Sequence, residues 1–239
     1  MSLILTLLPP RKGLAVLMYH HFGPVTCRQE AGFFIPDEMF ERQLDYILNK
    51  GYKTLSFSEV ETASAQKRPL PAKAVLITLD DGWKDNYTNA YPIIKKKNVK
   101  INIFLNTGDI SRDARYLTWD EVKEMRSCGL VQFAPHGVSH KRLRSLTDAQ
   151  IKDEVSKSKQ KLQEQLGVEV KSFCYPYGAA DKRVRQIVFD AGYSLDFGTR
   201  KGVCPWPWDG KKPIKRAHIM ACDDLKDFHL NLTRGRCRL

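Results

Sequence analysis

Several absences narrow what this chain can be. None of its six cysteines (Cys27, Cys128, Cys174, Cys204, Cys222 and Cys237) stands in Cys-x-x-Cys spacing, so a cysteine zinc site or a thioredoxin-like redox pair has no support. A chain of 239 residues does not need disulfides to hold a core, and the thiols read as mostly buried and free. There is no Gly-x-Gly-x-x-Gly and no Gly-x4-Gly-Lys, so a nucleotide-binding fold lacks its phosphate-cradling fingerprint. No apolar run approaches the ~18 residues of a membrane span. Residues 1–10 hold a short apolar run with no positive charge before it and no Ala-x-Ala after it. That is a poor signal peptide, and the cytoplasm is the default compartment. Internal repeats and low-complexity stretches are also missing.

What remains is ordinary globular composition. Hydrophobic residues make up 42%, enough for a full core. The net charge is +12, from 39 Lys and Arg against 27 Asp and Glu, which permits an acidic partner. The basic residues are spread through every segment, with only Lys95-Lys96-Lys97 forming a run, so they read as a solvated surface. No RNA- or DNA-binding motif accompanies them, and nucleic acid is not an expected partner.

Along the chain, apolar and β-branched runs alternate with helical patterns. Strands are expected at residues 14–19, 52–57, 75–79, 101–105, 130–133, 170–175, 194–197 and 217–220. Helices are expected from Asp37 to Gly51, at 86–97 with Pro92 as a late start or kink, from the Thr118/Glu121 capping box to Gly129, from Thr147/Gln150 to Gly167, and at 181–191. Residues 27–34 read as a loop, 64–73 as a surface connection and 201–239 as an irregular tail. This alternation predicts one parallel α/β domain over 1–239, with its core at about 14–220, closed or partly closed into a barrel. An open doubly wound sheet is the alternative.

The stretch around which this order is built is Val75-Leu76-Ile77-Thr78-Leu79-Asp80-Asp81-Gly82. A buried strand stops at two adjacent carboxylates and a glycine, at the end where α/β folds place ligands. Side chains alternate along a strand, so Asp80 and Asp81 should point apart and take different tasks. One can hold a metal while the other moves a proton; a polar turn is the bland alternative. A second motif, His136-Gly137-Val138-Ser139-His140, follows a strand too. On one helical turn its spacing puts both imidazoles on one face, as metal binding requires. Two histidines with Asp81 leave coordination positions open for water, the layout of a catalytic site. Such a metal lowers the pKa of bound water from ~15.7 towards ~7. Asp80 is then the candidate general base, or else a carboxylate that orients one of the histidines.

Thr78-Leu79-Asp80-Asp81-Gly82 resembles the Thr-Phe-Asp-Asp-Gly motif of the polysaccharide deacetylase (NodB-homology) family. His136-Gly137-Val138-Ser139-His140 is similar to its His-Ser/Thr-x-x-His motif, and Phe173-Cys174-Tyr175-Pro176-Tyr177-Gly178 to its third, which ends Pro-Tyr-Gly. The resemblance runs from about Leu14 to Met220. It implies a distorted α/β barrel and a divalent metal on Asp81, His136 and His140, usually zinc, with Co2+ or Ni2+ as alternatives. It also implies hydrolysis of an N-acetyl group from a sugar, with Asp80 as base and the Tyr177 backbone N–H stabilising the oxyanion. Pro176 would shape that turn beside the substrate. Met18-Tyr19-His20-His21-Phe22 resembles the Tyr-His start of the poly-N-acetylglucosamine deacetylase branch. There the first-strand histidine is catalytic, which makes His20 the favoured general acid over His218; His21 reads as a loop packing residue. Trp83 is a candidate for stacking on a sugar, and Trp206 and Trp208 for surface packing.

One departure matters: the family's arginine two residues before the proline is replaced by Cys174, so another cation or none must orient Asp80. The substrate implied is an N-acetylated glycan or a precursor. The basic surface would tolerate peripheral association with a lipid-linked glycan at a membrane. Hydrolysis of a small cyclic amide or formyl-amide on the same fold is the enzymatic alternative, and an anionic-polymer binding module the non-catalytic one.

Overall fold

The computed structural model describes residues 11–236, so the amino-terminal apolar run and Cys237 lie outside the described residues. Ten strands follow in chain order: β1 Ala15–Tyr19, β2 His21–Phe22, β3 Phe34–Ile35, β4 Lys53–Leu55, β5 Ala74–Leu79, β6 Ile101–Leu105, β7 Val131–Pro135, β8 Ser172–Cys174, β9 Leu195–Phe197 and β10 Ala217–His218. The main sheet runs β10-β1-β5-β6-β7, and every named pair in it is parallel. β4 pairs with the first half of β5 and β6 with its last two residues, so the sheet bends at β5. β8 and β9 form their own parallel pair, and a parallel bridge from Phe197 to Ile214 carries the circuit on towards β10. The result is a distorted barrel of parallel strands whose ladder breaks between β7 and β8.

Strand periodicity sorts the core into two layers. Val16, Leu76, Phe104, Ala134, Cys174 and Phe197 come from six strands and share one cluster. Their neighbours of opposite parity (Leu17, Ile77, Ile103, Phe133 and Phe173) pack with the helical residues Phe40, Leu44, Val122, Ile151 and Val188 in the other. Strands buried on both faces need continuous apolar runs, which is how they read in the sequence.

The helices Asp37–Asn49, Tyr91–Lys97, Trp119–Ser127, Asp148–Leu166 and Lys182–Asp190 fall in the stretches expected from the sequence, with a π-helical turn at Asn86–Ala90 before the second and no side-chain cap on the first two. Two further helices correct the sequence reading. Phe57–Ala65 is helical, capped by Ser56 and Glu59, with Phe57, Val60 and Ala63 on its buried side. The tail holds the helix Leu225–Arg234, opened by Asp224 and closed by Gly235 at φ 70°. Residues 28–33 form a 3-10 turn leading into β3 rather than a plain loop. Of the described thiols only Cys174 and Cys204 are buried; Cys27 and Cys128 are half-buried and Cys222 is exposed, against the expectation of mostly buried sulfurs. Among the described residues no helix is long and apolar enough to cross a membrane.

Candidate active site

A cavity of about 520 Å³ opens at the carboxyl ends of the parallel strands. His20 follows β1, Asp80 and Asp81 follow β5, Asn106 follows β6, His136 follows β7, Tyr177 follows β8 and His218 ends β10; all seven line it. Five of the six histidines in the chain meet here, since His21 also reaches the wall while His229 bonds Tyr46 elsewhere.

Asp80 keeps strand parity with Leu76 and Thr78 and so faces inward, its backbone N–H donating to Tyr19 O at 3.0 Å. Strict alternation would send Asp81 the other way. Instead Asp81 has φ 76° and Gly82 φ 79°, and these two left-handed residues return the Asp81 carboxylate to the same cavity. A left-handed non-glycine residue costs on the order of 1–3 kcal/mol and persists where the surroundings enforce it. Gly82 is required for a second reason: a Cβ there would come within 2.6 Å of Leu105 Cδ2.

The histidine pair is not on a helix, which corrects the sequence expectation. Residues 136–140 form a loop with Gly137 at φ 81° and His140 at φ 52°. The loop nevertheless brings both rings to Asp81: His140 Nε2 lies 3.2 Å and His136 Nε2 3.7 Å from Asp81 Oδ1. Ligands about 2.0–2.2 Å from a tetrahedral ion sit about 3.3–3.5 Å from one another, so this trio fits one shared cation. Further hydrogen bonds hold His136 and Asp81 in place. His136 Nδ1 donates to Cys174 O at 2.8 Å, which leaves Nε2 bare and aimed at the trio. Asp81 accepts from Trp83 Nε1 at 3.1 Å on Oδ2 and from Asn106 Nδ2 at 3.3 Å on Oδ1. Burial foremost lowers the His136 pKa to about 4, against the pull of Asp80 and Asp81, so the ring is neutral, as a ligand must be.

Asp80, His136 and Cys174 also cluster, but the Arg216 guanidinium lies among them and burial pushes the Cys174 thiol up. A protonated thiol beside a fixed cation is no place for a metal.

Arg216 is the residue the sequence reading did not find. It is fully buried and grips Asp80 at both oxygens, Nη1 to Oδ1 at 2.6 Å and Nη2 to Oδ2 at 2.7 Å. Nε donates to Gly198 O at 2.9 Å, Nη1 to Thr78 Oγ1 at 3.2 Å and Nη2 to Cys174 Sγ at 3.0 Å. Burial alone would raise the Asp80 pKa; the charge and bidentate bonds of Arg216 outweigh it and hold the carboxyl well below the usual range. A cation for Asp80 thus comes from the segment entering β10, and its guanidinium ends against the sulfur of Cys174, the position of the missing third-motif arginine. The only hint in the sequence was that vacancy at Cys174.

On the opposite wall, His20 Nε2 stands 3.9 Å from Asp80 Oδ2. The His218 ring is 5.2 Å from that of His20 and stacks on Phe33 at 4.9 Å. Burial, followed by the charge of His20, lowers the His218 pKa to about 4. Tyr177 has φ 58° and is 51% exposed, its ring against His140 at 4.6 Å and Arg142 at 4.1 Å. Pro176 is buried at the start of the turn that carries Tyr177. Trp83 lines the cavity, but its ring already stacks on Tyr116 at 4.5 Å and meets His21 at 4.4 Å. Its indole N–H is the group that bonds Asp81. His21 is not a loop residue: it lies in β2, bonded to Asp85 Oδ2 at 2.7 Å and stacked on Phe34. Trp206 and Trp208 pack at the surface as expected, donating to Arg68 O and Lys212 O, each at 2.9 Å.

Comparison with known proteins places this geometry. The profile of the polysaccharide deacetylase family matches residues 67–195. The Bacillus subtilis protein YxkH is 30% identical over 189 residues, 79% of this chain and 65% of its own. A poly-beta-1,6-N-acetyl-D-glucosamine N-deacetylase of Staphylococcus aureus is 26% identical over 186 residues, 72% of this chain and 64% of its own. The chain therefore spans somewhat less than two thirds of the length of these two relatives. Among solved structures, the Streptococcus pyogenes deacetylase PplD, in complex with acetate, superposes with a TM-score of 0.84 at 28% identity, covering 94% of this chain and 99% of that one.

Proposed function

Because the chain belongs to the polysaccharide deacetylase family, we propose that it hydrolyses the acetamide of an N-acetylhexosamine unit in a glycan or glycan precursor, using a divalent metal. The observation that carries this reading is the meeting of Asp81, His136 and His140 on one side of Asp80, with His20 on the other, in a single cavity. Asp81, His136 and His140 would hold the ion, with zinc the first choice and cobalt or nickel as substitutes. When bound there, it supplies a Lewis acid that polarises the acetyl carbonyl and lowers the pKa of a water towards ~7.

The chain's own groups do the rest. Asp80 Oδ2 lies 4.0 Å from His136 Nε2, facing the ligand trio, and accepts the proton of the attacking water. A carboxylate held this acidic by Arg216 stores no proton; it takes one in the transition state and releases it again. His20, 3.9 Å from the same oxygen, is placed to carry a proton to the departing amine. His218, kept neutral by burial, is less suited to that task and packs behind His20. The Tyr177 N–H, presented by its left-handed turn, donates to the developing oxyanion. The name of the S. aureus relative makes a β-1,6-linked N-acetylglucosamine oligomer the first substrate to try.

The test is acetate release from that oligomer by zinc-loaded protein. Asp80→Asn should lower the rate about 10²–10⁴-fold, the usual contribution of a positioned base. Equal rates for the two proteins would remove Asp80 from the reaction.

A further inference from the structure

The helix Asp148–Leu166 packs outside the cavity, yet one side chain from it reaches the loop that carries both histidines. Glu154 is only 9% exposed, and it falls one turn after Ile151 on the buried side of that helix. Its Oε2 accepts the backbone N–H of Val138 at 2.7 Å and of Ser139 at 3.0 Å, while Oε1 accepts the Ser139 hydroxyl. Among the described residues no Lys or Arg stands within ion-pair distance of it. A buried carboxylate without a cation needs such donors, and among the described residues they come from between His136 and His140.

The other side of the same loop is fixed as well. Gly137 O and Val138 O accept from the N–H groups of Thr107 at 3.1 Å and Gly108 at 2.9 Å. The carbonyls of the loop are thus tied to the segment after β6 and its N–H groups to Glu154. Between these two sets of bonds the chain runs through left-handed Gly137 and His140. A Cβ at position 137 would come within 3.1 Å of Glu154 Oε2, so glycine is also what lets the carboxylate approach.

We propose that Glu154 is a positioning residue for the metal. It presets the 136–140 loop so that both Nε2 atoms face Asp81 before any ion arrives. The inference rests on the reading of Asp81, His136 and His140 as ligands and names the group that makes the trio preorganised. A carboxylate is suited to this because one oxygen can take two amide N–H groups while the other takes a hydroxyl.

The experiment measures Zn2+ affinity of metal-free protein by calorimetry, alongside amide hydrogen exchange of the 136–140 segment with no metal present. Glu154→Ala should weaken zinc about 10–100-fold, the range found when groups supporting metal ligands are removed. Without metal it should speed exchange at Val138 and Ser139 about tenfold or more, because their N–H groups lose their partner. Glu154→Gln should recover most of both, since its amide oxygen can still accept the two N–H groups and its NH2 can donate to the Ser139 oxygen. Should Glu154→Ala fail to fold, Ser139→Ala deletes a single bond and should weaken zinc a few-fold. Native zinc affinity in a folded Glu154→Ala protein, or unchanged affinity in Ser139→Ala when the former does not fold, would overturn the proposal. Absence of zinc binding by the unaltered protein would instead refute the ligand reading. The metal-free exchange result then still decides whether Glu154 orders the loop, and unchanged exchange would end the proposal.

Discussion

Replacing Arg216 with Met would remove the one Lys or Arg that, among the described residues, contacts the Asp80 carboxylate, while keeping most of the side-chain volume. Arg216 is fully buried, Asp80 is 2% exposed, and the two share bonds of 2.6 and 2.7 Å. Breaking a buried pair from one side leaves an uncompensated charge and costs about 3–5 kcal/mol. At about 2–4 °C per kcal/mol for a chain of this size, the melting midpoint should fall about 6–20 °C. The loss should also depend on pH. In the native protein Asp80 has a depressed folded pKa, so its contribution is present above the unfolded value near ~3.9 and is lost only as pH falls through the lower folded value. Without Arg216, burial, the largest influence on Asp80, acts unopposed by that charge and raises its pKa. The deficit relative to native protein should therefore shrink towards pH 5 and grow towards pH 7.5. Urea denaturation at both pH values measures it, with Arg216→Met/Asp80→Asn as the companion; by removing the orphaned charge, the double variant should regain about 2 kcal/mol or more over Arg216→Met. An Arg216→Met protein of native stability, or a deficit independent of pH, would refute the ion-pair reasoning.

Three further outcomes follow from the same geometry. His20→Ala should lower acetate release about 10²–10⁴-fold, with the loss in kcat, and His218→Ala much less; the reverse order, read from steady-state kinetics, would move the general acid to His218. The folded pKa of His218 lies near 4, below the unfolded ~6.5, so it stabilises fully above pH 6.5 and progressively less down to pH 4. His218→Gln should accordingly flatten the fall in stability across that window by about 3 kcal/mol at most, measured by urea titrations at pH 4.5 and 7. Tyr177→Gly should leave kcat within a few-fold of native, because the left-handed φ of 58° suits glycine and the backbone N–H is retained; a loss above about 100-fold would assign the work to the phenol ring.

The strands that end at Asp80, His136 and Cys174 were legible because continuous apolar runs bounded by Gly, Pro and charge have few other readings. The capping boxes at Thr118 and Thr147 gave helix starts for the same local reason. The equivalent signal at Ser56-Phe57-Ser58-Glu59 is present too, but reading 52–57 as one strand hides it, and the helix Phe57–Ala65 goes unread. His136 and His140 were found by a spacing that suits a helical turn, although a loop with two left-handed residues achieves the same convergence. That geometry depends on Thr107, Gly108 and Glu154, none of which belongs to the motif. Arg216 lay beyond local reasoning altogether: 136 positions separate it from Asp80, and only the closing of the sheet between β10 and β1 brings them together.

The most direct measurement is the position of a zinc ion by anomalous diffraction from crystals grown with the metal. A peak about 2.0–2.2 Å from Asp81 Oδ1, His136 Nε2 and His140 Nε2 together is expected. A peak beside Cys174 with those three atoms unligated, or no peak at saturating zinc, would contradict the site on which the proposed chemistry depends.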